Sequence, residues 1–76
     1  MNKKRRELLK RASALLSSAS YMVSSALDAE QDALDNMPEG IRDTDRCDKM
    51  EDAVDLLTDA SESIDAAIDK IGEAVS

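Results

Sequence analysis

Residues 47–75 read CDKMEDAVDLLTDASESIDAAIDKIGEAV. Cys47, Met50, Val54, Leu57, Ser61, Ile64, Ile68, Ile71 and Val75 alternate steps of three and four, and all but Ser61 are apolar. Only an α-helix brings residues at that spacing onto one face, so the stretch reads as a helix with an unbroken heptad seam. Ala53, Ala60, Ala67 and Ala74 form a row on one flank, small enough to let a neighbouring helix come close. Opposite the seam, Asp48, Asp52, Asp55, Asp59, Glu62, Asp65, Asp69 and Glu73 make a nearly pure acidic face, with Lys49 and Lys70 nearby.

The neighbour that this seam needs lies upstream. Leu8, Ala12, Leu15, Ala19, Met22, Ala26, Ala29 and Ala33 repeat the spacing, and Leu9, Leu16 and Val23 widen the stripe. Leu27, Leu34 and Leu56 fall off the main seams. Between the two periodic stretches, Pro38 disfavours helix at Met37 and Gly40 gives the backbone freedom to turn. The expected fold is all-α: an antiparallel two-helix hairpin, coiled-coil-like, with an alanine-rich seam. One domain spans 1–76, with helix one over about 2–36, a turn over 37–43 and helix two over about 44–75. Thr44 or Asp43 is the expected N-cap of helix two, with Asp45 and Asp48 suiting its dipole. Ile41 is placed to plug the end of the core. Folded back on Gly40, residues whose numbers sum to about 80 should meet, so Ala12 faces Ile68, Ala19 faces Ser61, Ala26 faces Val54 and Ala33 faces Cys47.

Helix one is weakly encoded. Six of the sixteen uncharged residues from Ala12 to Leu27 are serine, which competes for backbone hydrogen bonds, so packing rather than propensity must hold it. A basic run before an uncharged stretch has the outline of a secretory signal. The serines and the helical spacing argue against that, and a bilayer core needs ~20 predominantly apolar residues.

Seventy-six residues make at most one small domain. Eleven of the apolar residues are alanine, and there is no Phe or Trp. Two helices alone cannot bury a full core with so few long apolar side chains. One Cys and no His leave neither an internal disulfide nor an ordinary zinc or di-iron ligand set. Self-association into a homodimeric four-helix bundle, or cover by a partner protein, remains. Cys47 falls on the seam, where a buried thiol is expected, and one unpaired Cys suits a reducing cytoplasm.

The net charge of −7 is unevenly spread. Residues 1–11 carry the basic arm Lys3, Lys4, Arg5, Arg6, Lys10 and Arg11 against Glu7, a local +5; the rest of the chain carries −12. Cations at a helix N-terminus and anions at a C-terminus both oppose the macrodipole. An antiparallel hairpin offsets this by laying the basic arm beside Asp69 and Glu73.

Few chemistries fit these residues. Asp43-Thr44-Asp45 resembles the start of a calcium loop, but the sixth position is Asp48 instead of Gly and the twelfth is Val54 instead of Glu. The carboxylates have no His, no Ser–base pair and no glycine-rich phosphate loop beside them, so no enzyme, cofactor or metal site is expected. The basic arm lacks interleaved aromatics and the remainder of the chain repels phosphate, which argues against nucleic acid as a ligand.

The segments Leu34-Asp35-Asn36-Met37-Pro38-Glu39, Thr44-Asp45-Arg46 and Lys49-Met50-Glu51-Asp52-Ala53-Val54-Asp55 carry a resemblance. Together they resemble small acidic helical-hairpin proteins encoded by phages and prophages of Gram-positive bacteria. Those proteins join a basic N-terminal helix, an Asn-hydrophobic-Pro-Glu turn, and an acidic helix opened by a Ser/Thr-acid-Arg cap and a Lys-Met-Glu motif. The likeness runs from Leu34 to Ile71. Family members often have an aromatic residue where Cys47 stands, and more Glu in the second helix. The resemblance implies a phage or mobile-element origin and a place in the cytoplasm of a bacterial host, and it brings no established activity or site residues.

Three functional expectations follow. The first is a non-enzymatic interaction module that pairs with itself and binds a host or phage protein. The second narrows this to an inhibitor that imitates DNA phosphate through Asp48, Asp52, Asp55, Asp59, Glu62 and Asp69. The third is a structural assembly piece, or a nucleic-acid tether using the basic arm.

Overall fold

A computed structural model of the chain describes residues 1–41 and 45–76. Helix α1 is Lys3–Asp35, a short 3-10 turn covers Glu39–Ile41, and helix α2 is Asp45–Val75. The two helices pack side by side as an antiparallel hairpin, a rod with Cα extents of 59 × 14 × 14 Å. No helix among the described residues is long and apolar enough to cross a membrane.

The start of α1 is fixed by a cap. Asn2 has extended backbone (φ −78°, ψ 166°), and its Oδ1 accepts from the Arg5 backbone N–H at 2.9 Å. Its carbonyl takes the Arg6 N–H at 3.1 Å. This satisfies donors that a helix start leaves unpartnered, in a turn that otherwise carries only cations. At the far end, the Asn36 backbone N–H and its Nδ2 both donate to the Asp32 carbonyl, at 3.0 and 2.8 Å, and the Met37 N–H donates to Leu34. Pro38 then prevents continuation. The expected caps at Asp43 and Thr44 lie outside the described residues, as does the side chain of Ile41.

The helices meet along a seam that differs from the expected one on α1. On α2, Cys47 is buried, and Met50, Val54, Leu57, Ser61, Ile64, Ile68, Ile71 and Val75 are partly buried, as the heptad spacing requires. On α1 the partly buried heptad is Leu9, Ser13, Leu16, Ser20, Val23, Leu27, Glu30 and Leu34, one residue later than the expected row. Leu8, Leu15 and Met22, expected on that contact, are 63%, 72% and 70% exposed. Ala26, Ala29 and Ala33 are exposed, while Ala12 and Ala19 lie at the border of the contact. The reason is the volume available for burial. The seam used holds four leucines and a valine, against two leucines, a methionine and five alanines on the other. Those larger side chains outweigh the three polar members Ser13, Ser20 and Glu30. Leu27 and Leu34 therefore belong to the seam, the alanines expected in the α1 seam border the contact or lie outside it, and the α2 alanine row runs along its flank.

The register also moves. Ser20 Oγ donates to Asp65 Oδ1 at 3.1 Å, and Ala33 lines one hollow with Met50 beside the turn. These pairs sum to 85 and 83, which sets Leu9 level with Val75 and carries the first residues of α1 past the last turn of α2. Among the described residues, Lys3 to Arg11 accordingly make no ion pair with Asp69 or Glu73. The ion pair present is local, from Lys3 Nζ to Glu7 Oε1 at 4.0 Å, with side chains 91% and 63% exposed.

Real burial occurs at the turn end only. Met37 and Cys47 are the buried apolar residues among those described, at 8% and 3% exposure. The proline after Met37 holds that residue out of the helix, and Met37 lines a hollow beside the turn with Ala33, Arg46 and Met50.

Candidate functional site

The hairpin has three surfaces, the polar side and the acidic back of α2 overlapping, and their chemistry follows from position relative to the seam. Two antiparallel helices in contact are related by a two-fold axis perpendicular to both. Residues just before the seam positions therefore share one side of the hairpin, and residues just after share the other.

The side that follows the seam is polar. On α1 it carries Lys10, Ser17, Tyr21, Ser24, Asp28, Gln31 and Asp35; on α2 it carries Asp48, Glu51, Asp55, Thr58, Glu62, Asp65 and Asp69. Its polar groups are partly used within the fold. Ser20 meets Asp65 across the hairpin, Gln31 Nε2 donates to Asp35 Oδ1 at 2.9 Å, and Thr58 Oγ1 donates to the Val54 carbonyl at 2.8 Å.

The side that precedes the seam is apolar. On α1 it carries Leu8, Ala12, Leu15, Ala19, Met22, Ala26, Ala29 and Ala33; on α2, Ala53, Leu56, Ala60, Ser63, Ala67 and Ala74. Charge appears only at its ends, where Arg46, Lys49 and Lys70 stand on α2 and the basic arm begins on α1. Of the residues expected in the seam, Leu8, Leu15, Met22, Ala26 and Ala60 lie exposed here. Leu16, Val23, Met50, Val54, Leu57, Ile64, Ile68 and Ile71 sit in the helix contact, bordered by the partly buried Ala12, Ala19, Ala53 and Ala67.

The third surface is the back of α2. Asp48, Asp52, Asp55, Asp59 and Glu62 run along it at steps of four, three, four and three, with Asp69 one heptad beyond Glu62, and all are exposed. Among the described residues none of the six is in an ion pair. The acidic face read from the sequence is thus a continuous solvent-facing strip between the polar side, which Asp48, Asp55, Glu62 and Asp69 also line, and the back of α2, where Asp52 and Asp59 stand. Neighbouring carboxylates on such a strip repel one another modestly and together build a negative field.

The basic arm is separate from all this. Lys3, Lys4, Arg5, Arg6, Lys10 and Arg11 are all exposed. A hollow of about 470 Å³ lined by Lys4, Arg5, Glu7, Leu8 and Arg11 is a trough between side chains of one helix, open to solvent. Among the described residues no three acidic or thiol groups converge as a metal set would. The Cys47 thiol lies 3.8 Å from Glu51 Oε1, inside the helix contact rather than at any cleft.

Sequence reading missed Asn2 as a cap, Met37 as the closing residue of the core, and the seam role of Leu27 and Leu34. The signals were present. Asn directly before a helical run is a cap residue, and Leu9, Leu16, Val23, Leu27 and Leu34 keep three-four spacing if Ser13, Ser20 and Glu30 are allowed among them. Comparison with protein-family models, with curated proteins and with solved structures found no match to this chain.

Proposed function

We propose that the protein is a non-enzymatic interaction module, of the kind carried by phages and prophages, which docks a protein partner on the acidic back of α2. One observation supports this above others: Asp48, Asp52, Asp55, Asp59, Glu62 and Asp69 form a single-sign exposed strip with no ion pair of their own among the described residues. A strip of unneutralised carboxylates on a rigid helix fits a basic groove on another protein, and steers its approach over a distance set by the ionic strength. Nothing in the strip is recessed, as a catalytic carboxylate pair must be. Residence in the cytoplasm of a bacterial host belongs to the same reading and rests on the resemblance of the turn and cap.

The experiment is affinity capture with a tagged chain from lysate of a Gram-positive bacterium, followed by a strip variant. Asp52, Asp55, Asp59 and Glu62 changed together to Asn or Gln are expected to release the captured partner while far-ultraviolet circular dichroism shows unchanged helix. Binding that survives the fourfold change at physiological salt removes the strip as the docking surface.

A further inference from the structure

The best apolar stripe of α1 is not the one that faces α2. Leu8, Ala12, Leu15, Ala19, Met22, Ala26, Ala29 and Ala33 contain no polar residue, yet they border or lie outside the hairpin contact. The contact uses a row interrupted by Ser13, Ser20 and Glu30. On the same side of the rod, α2 adds Ala53, Leu56, Ala60 and Ala67. We infer that this side is the interface with a second copy of the chain, so that two hairpins close face to face into a four-helix bundle.

The amount of exposed surface argues for a standing partner rather than an occasional one. The chain exposes 5769 Å², whereas a compact monomer of its 8.3 kDa exposes about 4,600 Å². The excess, on the order of 1,200 Å², is of the size that each partner buries in a stable, predominantly apolar dimer (roughly 800 Å² at standard size and more in obligate pairs). With Met37 and Cys47 the only buried apolar residues among those described, a lone hairpin has almost no core, and a cover present in every molecule is a second copy of itself.

Shape and charge fit the same occupant. An isologous contact needs a surface complementary to itself, with projections and recesses on one patch. Leu8, Leu15, Met22 and Leu56 project, and the alanines between them leave recesses. Two copies of a chain with net charge −7 repel each other through most of their surface. The positions preceding the seam hold no acidic residue on either helix, so face-to-face pairing leaves the acidic strips of both copies outside. This inference goes beyond the docking reading and does not rest on it, since the strip on the back of α2 stays exposed in the dimer.

Light scattering behind gel filtration, with dilution to low micromolar, tests it. A mass twice 8.3 kDa is expected. A helical species with the mass of one chain, or a stable mass above two chains, overturns the proposal. The face is tested separately in a Cys47→Ser background by comparing maleimide labelling of Met22→Cys with that of Tyr21→Cys. Their positions are almost equally exposed in the lone hairpin, at 70% and 76%. In the dimer the Met22 position is covered and the Tyr21 position is not, so labelling at the former is expected to be at least about tenfold slower. Equal rates in a folded dimer place the interface elsewhere and overturn the assignment of this face. Neither outcome bears on partner capture by the acidic strip, which has its own variant.

Discussion

Ser20 Oγ and Asp65 Oδ1 lie 3.1 Å apart, a hydrogen bond between side chains 45 positions apart in the chain that ties the seam row of α1 to the polar side of α2. It marks the register, but at an exposed site it holds little. Replacing Ser20 with Ala removes roughly 0.5–1 kcal/mol of hydrogen bonding. The better helix former returns roughly 0.5 kcal/mol. The expected net change in a urea melt is within about 0.5 kcal/mol of zero, and a loss above about 1.5 kcal/mol would show that the bond pins the register.

Leu16 sits in the helix contact and Ser17 just outside it. Leu16→Ala is expected to cost about 2 kcal/mol, the low end for a leucine because the site is only partly buried. Ser17→Ala is expected to be neutral or slightly stabilising through helix propensity. Chemical denaturation of the two variants checks both, and equal stabilities would place the contact on a different row of α1.

Asn2 caps a first turn with no acidic residue in it. Asn2→Ala is therefore expected to cost about 1 kcal/mol, confined to the end of the helix. Amide hydrogen exchange is the sensitive readout: Arg5 and Arg6 should exchange several-fold faster while Leu16 to Val23 stay unchanged. Loss of protection through the whole helix would mean that the cap nucleates α1 rather than trimming its end.

Cys47 is 3% exposed and its sulfur faces Glu51. Its reaction with a bulky thiol reagent is expected to be at least about a hundredfold slower in the native protein than in denaturant, because reaction requires local opening. Cys47→Ala is expected to cost about 1 kcal/mol, and Cys47→Ser at least as much, since a buried hydroxyl gives up its water and the shorter C–O bond leaves it farther from Glu51 than the thiol. Rapid labelling of the folded wild type would show that the turn end opens freely.

The hairpin was legible because periodicity is a geometric property: nothing but a helix aligns Met50, Leu57, Ile64 and Ile71, and Pro38 has one consequence for the residue before it. The acidic strip was legible for the same reason. The choice between two adjacent stripes on α1 was not. Both have heptad spacing, and the purer one, with Leu15 and Met22, is the more conspicuous in one dimension. The contact went to the row with more volume, a comparison that depends on what α2 offers opposite. Met37 was hidden too, since its burial comes from how the backbone turns at Pro38 rather than from any repeat. The proposed docking surface is read only from charge and exposure, because a strip of Asp side chains looks the same in sequence whether it meets water or a partner.

The placement of the two buried residues has a kinetic consequence. Met37 and Cys47 are ten positions apart, so ordering the turn end where both are buried closes only a short loop at small entropic cost, while bringing Leu9 level with Val75 closes a loop several times longer. Contacts in such a rod become steadily less local from the turn outwards, and each newly formed layer shortens the loop that the next must close. The molecule is thus built to assemble like a zipper with its slider starting at Met37, and the end that carries the basic arm is the last to join and the first to part.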